Sequence, residues 1–207
     1  MAGSATFWNK IADKYSRQPV ADEAIYQQKL AKTRDYLRAD MELLEIGCGT
    51  GSTAITHAPK VKHIDAVDIS ENMLAIARQK AETAGISNVT FQQVDIEEME
   101  AGGKQYDMIL ALSLLHLVSD RDAVLEKIFH MLKPGGYLVS STACIGDSFP
   151  ILGYIAPLGR KLGLLPVLKA FTENQLVDSI TSAGFAIEHQ WQPGPKKAVF
   201  IIARKPA

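Results

Sequence analysis

The chain has 207 residues, enough for a sizeable core and one or two domains. Hydrophobic residues make up 47% and charged residues 22%, as in ordinary globular proteins, and a formal net charge of −1 gives no electrostatic basis for binding nucleic acid. Cys48 and Cys144 are too few for a disulfide framework or a zinc site, no apolar run approaches the roughly 20 residues of a membrane span, and the first residues lack a secretory signal pattern, so no metal, no transmembrane segment and a cytoplasmic setting are expected.

Residues 7–39 read as two helices. In the second, Tyr26, Leu30 and Leu37 recur on one face at helical spacing. Asp22 can cap its start, and Pro19 breaks the chain just before it. From Glu42 strands and helices alternate. Leu43 to Ile46 is a first strand, followed by Gly47, Gly49 and Gly51 and then a helix ending before Pro59. His63 to Ile69 is a second strand. Ser70 can cap a helix carrying Met73, Leu74, Ile76 and Ala77, which stops at Gly85. Val89 to Val94 is a third strand, Glu97 to Gly103 an acidic loop, and Tyr106 to Leu112 a fourth strand. Asp120 or Asp122 can open the next helix, with Lys133-Pro134-Gly135-Gly136 ending it as a sharp turn before a strand at Tyr137 to Ser141. Residues 146–171 are apolar and rich in Gly and Pro. Thr172-Glu173-Asn174-Gln175 is a capping-box pattern, and its helix closes at Gly184. Ala186 to Gln192 and Ala198 to Ala203 read as two strands joined too closely for a crossover helix, so they pair antiparallel.

This order predicts an α/β fold: a doubly wound, Rossmann-like sheet of seven strands, mostly parallel with an antiparallel C-terminal strand and helices on both faces. Ligands of such sheets bind at the carboxyl ends of the strands, where the strand order reverses. Gly47 to Gly51, Asp68, Asp95 and Leu112-Ser113 all fall at strand ends and can converge there.

The glycine spacing separates cofactor readings. A dinucleotide fingerprint is G-x-G-x-x-G, and Ser52 stands where its third glycine would be. A phosphate-binding P-loop needs a lysine that Ser52-Thr53 does not supply. Side-chain-free positions after a buried strand still let backbone approach a ligand closely, although a glycine-rich turn without a ligand would look the same. Glu45 is a carboxylate inside an otherwise apolar strand, unfavourable there without a partner. Asp68 lies about twenty residues beyond the loop, where an acid can accept from both ribose hydroxyls; otherwise it is a helix cap, a role Ser70 already fills. Asp95 could take an adenine amino group with Ile96 against the ring, or be one solvated loop acid among several.

Glu45-Ile46-Gly47-Cys48-Gly49-Thr50-Gly51, Val67-Asp68-Ile69-Ser70-Glu71-Asn72-Met73-Leu74, Val94-Asp95-Ile96, Tyr106-Asp107-Met108-Ile109 and Leu132-Lys133-Pro134-Gly135-Gly136-Tyr137-Leu138 follow one another in order. Together they resemble the successive motifs of the class I S-adenosylmethionine-dependent methyltransferases of small molecules, including the quinone-biosynthesis branch. The resemblance implies S-adenosylmethionine as cofactor. It implies a binding set of Glu45, Gly47, Cys48, Gly49, Gly51, Asp68, Ile69, Met73, Asp95, Ile96, Leu112 and Ser113, with the loop at the methionine moiety and ribose and Leu112-Ser113 beside the methyl donor. It departs after the fourth strand: many relatives carry a His-His pair followed by Leu-Pro-Asp, and this chain has only His116 in Leu115-His116-Leu117-Val118-Ser119-Asp120. No Asn/Asp-Pro-Pro-Tyr motif follows that strand, against the amino-methyltransferases of nucleic acids.

A sulfonium donor is already activated, so the protein's task is to align the nucleophile and exclude water. A base is needed only where the acceptor must lose a proton. The candidates are His116, Tyr15 and Tyr26: His116 could instead be a hydrogen-bonding turn residue and Tyr26 a core residue, while Tyr15, in the polar run Lys14-Tyr15-Ser16-Arg17, could close over the cofactor. Cys48 packs in the loop, with nothing nearby to activate it. The expected organisation is an N-terminal helical lid over residues 1–40 and a cofactor-binding domain over 41–207 with an apolar cap at 146–171. That cap could hold a partly apolar small-molecule acceptor, pack on the sheet, touch a membrane surface or join a homodimer. Two other functions stay open: a nicotinamide-dependent oxidoreductase, and a non-catalytic S-adenosylmethionine-binding regulator.

Overall fold

The computed structural model of the chain describes residues 2–100, 102–148 and 165–207. Helix α1 spans Ala2–Arg17 and α2 spans Glu23–Arg34. Strand β1 is Glu42–Ile46, α3 Ser52–His57, β2 His63–Asp68, α4 Glu71–Thr83, β3 Val89–Gln93 and β4 Tyr106–Leu112. Then come α5 (Arg121–Met131), β5 (Leu132–Thr142), the short α6 (Ile145–Ser148), α7 (Glu173–Ser182), β6 (Ala186–Trp191) and β7 (Val199–Arg204).

Helix starts follow from side-chain oxygens that take otherwise unpaired backbone N–H groups. Asp22 accepts from Ile25 N, Ser70 from Met73 N and Asp120 from Ala123 N. Thr172 and Gln175 form a reciprocal capping box at α7. Each cap is worth about 1 kcal/mol. The stripe of α2 is shorter than its spacing suggests, because the helix ends at Arg34 and Leu37 lies in the turn beyond.

The seven strands form one sheet in the order β3-β2-β1-β4-β5-β7-β6. Neighbours from β3 to β5 pair parallel, while β7 runs antiparallel to both β5 and β6. Alternation along the strands builds two cores. Leu44, Ile46, Ile109 and Ala111 face one side with Leu125 and Ile128 of α5 and Leu176 and Ile180 of α7. Leu43, Met108 and Leu110 face the other with Ala54 of α3 and Leu74 of α4. β7 supplies both layers, Val199, Ile201 and Ala203 to the first and Phe200 and Ile202 to the second, so it is apolar at successive positions.

One expected turn is different. Lys133-Pro134-Gly135-Gly136 lies within β5, where the register jumps from Tyr106↔Leu132 to Met108↔Tyr137. Its backbone is held by the tail of β7: Gly135 N donates to Lys205 O at 3.0 Å and Lys205 N to Gly136 O at 2.8 Å. That partner is distant in sequence, so local turn chemistry could not show it. Among the described residues no helix is long and apolar enough to cross a membrane. Most of the apolar cap, residues 149–164 with Leu164 among them, lies outside the described residues.

Candidate active site

The strand order reverses between β1 and β4, and the carboxyl ends of β1 to β4 open onto one cavity of about 370 Å³. That is a size suited to a small organic ligand. Gly47, Gly49 and Gly51 all have positive φ (69°, 53° and 74°), which costs side-chain-bearing residues but not glycine. Gly47 and Gly49 line the cavity. A Cβ at Gly49 would meet only the Tyr15 ring, at 4.0 Å, so that space is open for a ligand.

Asp68 fixes the loop. Its Oδ2 accepts from Gly49 N and its Oδ1 from Ser70 N, each at 2.8 Å. Burial raises its pKa, and these backbone donors oppose the rise. Asp95 accepts from Glu97 N through Oδ1 at 2.9 Å, while its Oδ2 is buried with no partner. An unpaired buried carboxylate oxygen on a cavity wall is a place for a ligand donor. Ile69, Met73 and Ile96 supply apolar walls, and Leu112 and Ser113 close the β4 end. Ser113 has φ 57°, a strained value for a non-glycine residue.

Two of the three candidate bases also reach the cavity. Burial lowers the His116 pKa to about 4, so its ring is neutral at pH 7, and Nδ1 is buried without a partner. Tyr15 is 47% exposed, and burial around its hydroxyl, with the Asp68 charge second, raises its pKa. Tyr26 does not line the cavity; its hydroxyl is 3.3 Å from Thr53 Oγ1. Three of the proposed cofactor residues stand behind the wall. Glu45 is 3% exposed, burial pushes its pKa up to about 8, and Oε2 has no partner. Burial raises the Cys48 thiol pKa far above its ordinary value, which leaves it inert. Gly51 packs against Ala77 and Phe91 of the α4–β3 region.

The cavity has walls the sequence reading did not assign. Ser4 and Trp8 of α1 line it, and Trp8 stacks edge-on to Tyr15 with ring centroids 6.2 Å apart. Their separation of seven residues is two helical turns, a signal that could have placed Trp8 beside Tyr15. Asn9 carries no such signal. It latches α1 to the start of α4, its Oδ1 accepting from Ser70 Oγ at 2.7 Å and its carbonyl from Asn72 Nδ2 at 3.0 Å. Glu97, read as part of an acidic loop, is a wall residue that accepts from Ser119 N at 2.9 Å. Among the described residues, no group of three or more His, Cys, Asp and Glu is placed to hold a metal ion.

Comparison with known proteins adds to this geometry. A family model described as a methyltransferase domain matches residues 37–192. The chain is 30% identical over 106 residues to a ubiquinone biosynthesis O-methyltransferase of Acinetobacter baumannii (strain ACICU), covering 50% of this chain and 44% of that protein. It is 30% identical over 131 residues to the uncharacterized methyltransferase YcgJ of Bacillus subtilis (strain 168), covering 63% and 51%. The chain thus spans about half the length of the curated relatives it matches. Among solved structures, the DhpI–SAH complex superposes with a TM-score of 0.78 at 19% identity over 99% of this chain and 96% of that one, a likeness of fold.

Proposed function

The chain belongs to the methyltransferase-domain family, and from that membership we propose that it transfers a methyl group from S-adenosylmethionine to a small, partly apolar acceptor. The observation that carries this reading is the cavity itself. Glycine backbone, the Asp68 carboxylate and the unpaired Asp95 oxygen meet around one space of cofactor size. Asp68 would accept from the ribose, Asp95 from the adenine amino group, and Ile69, Met73 and Ile96 would flank the ring. When bound, the donor supplies an electrophilic methyl on a sulfonium. Asp68, Asp95 and Glu97 give the walls the negative sign that suits such a cation. Ser52 occupies the position of the third glycine in a dinucleotide fingerprint, which disfavours a nicotinamide cofactor. The acceptor is a small molecule rather than a nucleic acid, and the protein works in the cytoplasm. Incubating the protein with methyl-labelled S-adenosylmethionine and a metabolite extract tests the activity. Label in a small product supports it, whereas donor binding with no transfer to any acceptor would favour the non-catalytic regulator.

His116 is proposed to orient or deprotonate the acceptor, its ring being held neutral by burial and its buried Nδ1 being without a partner. Because its pKa lies near 4, no protonation step from His116 should appear in turnover between pH 5 and 8. His116→Ala is expected to lower kcat by at least about tenfold, below the usual range for a lost general base, while the Kd for S-adenosylhomocysteine changes less than about threefold. Unchanged turnover would leave His116 a structural residue.

Residues 1–40 are proposed to act as a lid. Ser4, Trp8 and Tyr15 roof the cavity, and the Asn9 latch is polar and partly exposed, a bond that can open. Hydrogen exchange over residues 7–39 should slow when S-adenosylhomocysteine binds. High protection in the free protein that does not change would exclude a lid.

A further inference from the structure

We propose that Lys127, outside the cavity wall, is a positioning residue for donor recognition: it fixes the peptide that aims Asp95 at the purine amino group. This rests on the adenine reading of Asp95. Lys127 belongs to α5, and its Nζ donates to Ile96 O at 2.7 Å and to Glu97 O at 3.1 Å. Ile96 and Glu97 both line the cavity.

One peptide plane joins the cation to the carboxylate. Ile96 O and Glu97 N belong to the same peptide unit, and in a trans peptide they point in opposite directions. Ile96 O is held by Lys127, while Glu97 N donates to Asp95 Oδ1 at 2.9 Å. That bond leaves Oδ2, buried without a partner, as the oxygen open to a ligand donor. The plane cannot rotate without breaking a bond at each end. A cation on the carbonyl also polarises the peptide and strengthens its N–H as a donor. The Glu97 side chain adds a second hold, its Oε1 accepting from Ser119 N at 2.9 Å and from Asp120 N at 3.3 Å. Helix α5 is itself anchored by buried Val124, Leu125, Ile128 and Met131, so what the Lys127 bonds fix is the wall and not the helix. A group held from a rigid helix keeps its geometry better than one held from a loop.

The test is a ratio of two affinities. Calorimetry gives the Kd of S-adenosylhomocysteine and of its analogue with hydrogen in place of the purine 6-amino group. The proteins are wild type, Lys127→Met, Lys127→Gln and Lys133→Met. Lys133 pairs with Asp107 at 2.9 Å outside the cavity wall, and its variant controls for the general effect of losing a lysine contact. Wild type and Lys133→Met should bind S-adenosylhomocysteine tenfold or more tighter than the analogue, as expected for a hydrogen bond to a charged group. In Lys127→Met the ratio should fall to threefold or less. Lys127→Gln, uncharged and one bond shorter, should show the same fall and supplies the reading where the methionine variant does not fold. A tenfold ratio surviving in either Lys127 variant, or an equal fall in Lys133→Met, overturns the proposal. A ratio near one in wild type overturns the adenine reading of Asp95 beneath it, and wild type that binds neither compound overturns the donor reading, so the failures are told apart.

Discussion

Asp68→Ala is expected to weaken S-adenosylhomocysteine binding by roughly 10- to 150-fold, the equivalent of the 1.5–3 kcal/mol typical of hydrogen bonds to a charged group. Asp68 is 8% exposed and holds Gly49 N and Ser70 N, one on each oxygen. A carboxylate has about four acceptor sites, so two remain for ribose hydroxyls. The alanine variant loses those bonds and also releases the glycine loop from its anchor. It should still fold, because Gly47 N and Cys48 N remain bonded to Val67 O and the strand pairing around Asp68 is backbone. Asp68→Asn keeps the shape and one acceptor oxygen, and its affinity should fall between the two. Calorimetry reads all three proteins. An alanine variant that binds as tightly as wild type would remove Asp68 from the site.

Gly51→Ala should be among the most destabilising small substitutions in the chain. At φ 74° a side-chain-bearing residue costs about 1–2 kcal/mol. The added Cβ would also lie 2.8 Å from Ala77 Cβ and 3.0 Å from the Phe91 ring. Ala77 Cβ is fixed to the α4 backbone and cannot swing away, so overpacking adds about 1–3 kcal/mol. The sum, about 2–5 kcal/mol, corresponds to a melting temperature lower by about 4–20 °C for a domain of this size. Gly85→Ala is the control, since Gly85 has φ 66° but nothing within 4 Å of an added Cβ. It should cost only the conformational part. If Gly51→Ala melts no lower than Gly85→Ala, the close approach of α4 to the loop is not what fixes glycine there.

The alternation of Leu43-Leu44 and Met108-Ile109 between two cores, and the caps at Asp22, Ser70, Asp120 and Thr172, follow from local chemistry, which is why sheet, helix starts and seven strands were legible in the sequence. The acids at the ends of β2 and β3 were legible for the same reason, since strand ends of a doubly wound sheet meet at one edge. What escaped depends on partners far along the chain. The Lys133–Gly136 segment looked like a turn because Lys205, which pairs with its glycines, lies some seventy residues away. Asn9 looked like an ordinary helix residue until α1 lay on Ser70 and Asn72. Tyr26 and Glu45 had the right residue types for the cavity, but the pleat and the helix face turn them to Thr53 and into the core behind it.

The most direct measurement is binding of S-adenosylhomocysteine and of NADH to the wild-type chain by calorimetry, each alone and in competition. One S-adenosylhomocysteine per chain and no NADH binding is the predicted result. NADH binding at the same site without S-adenosylhomocysteine binding would contradict the assignment of the β1–β4 cavity to a methyl donor.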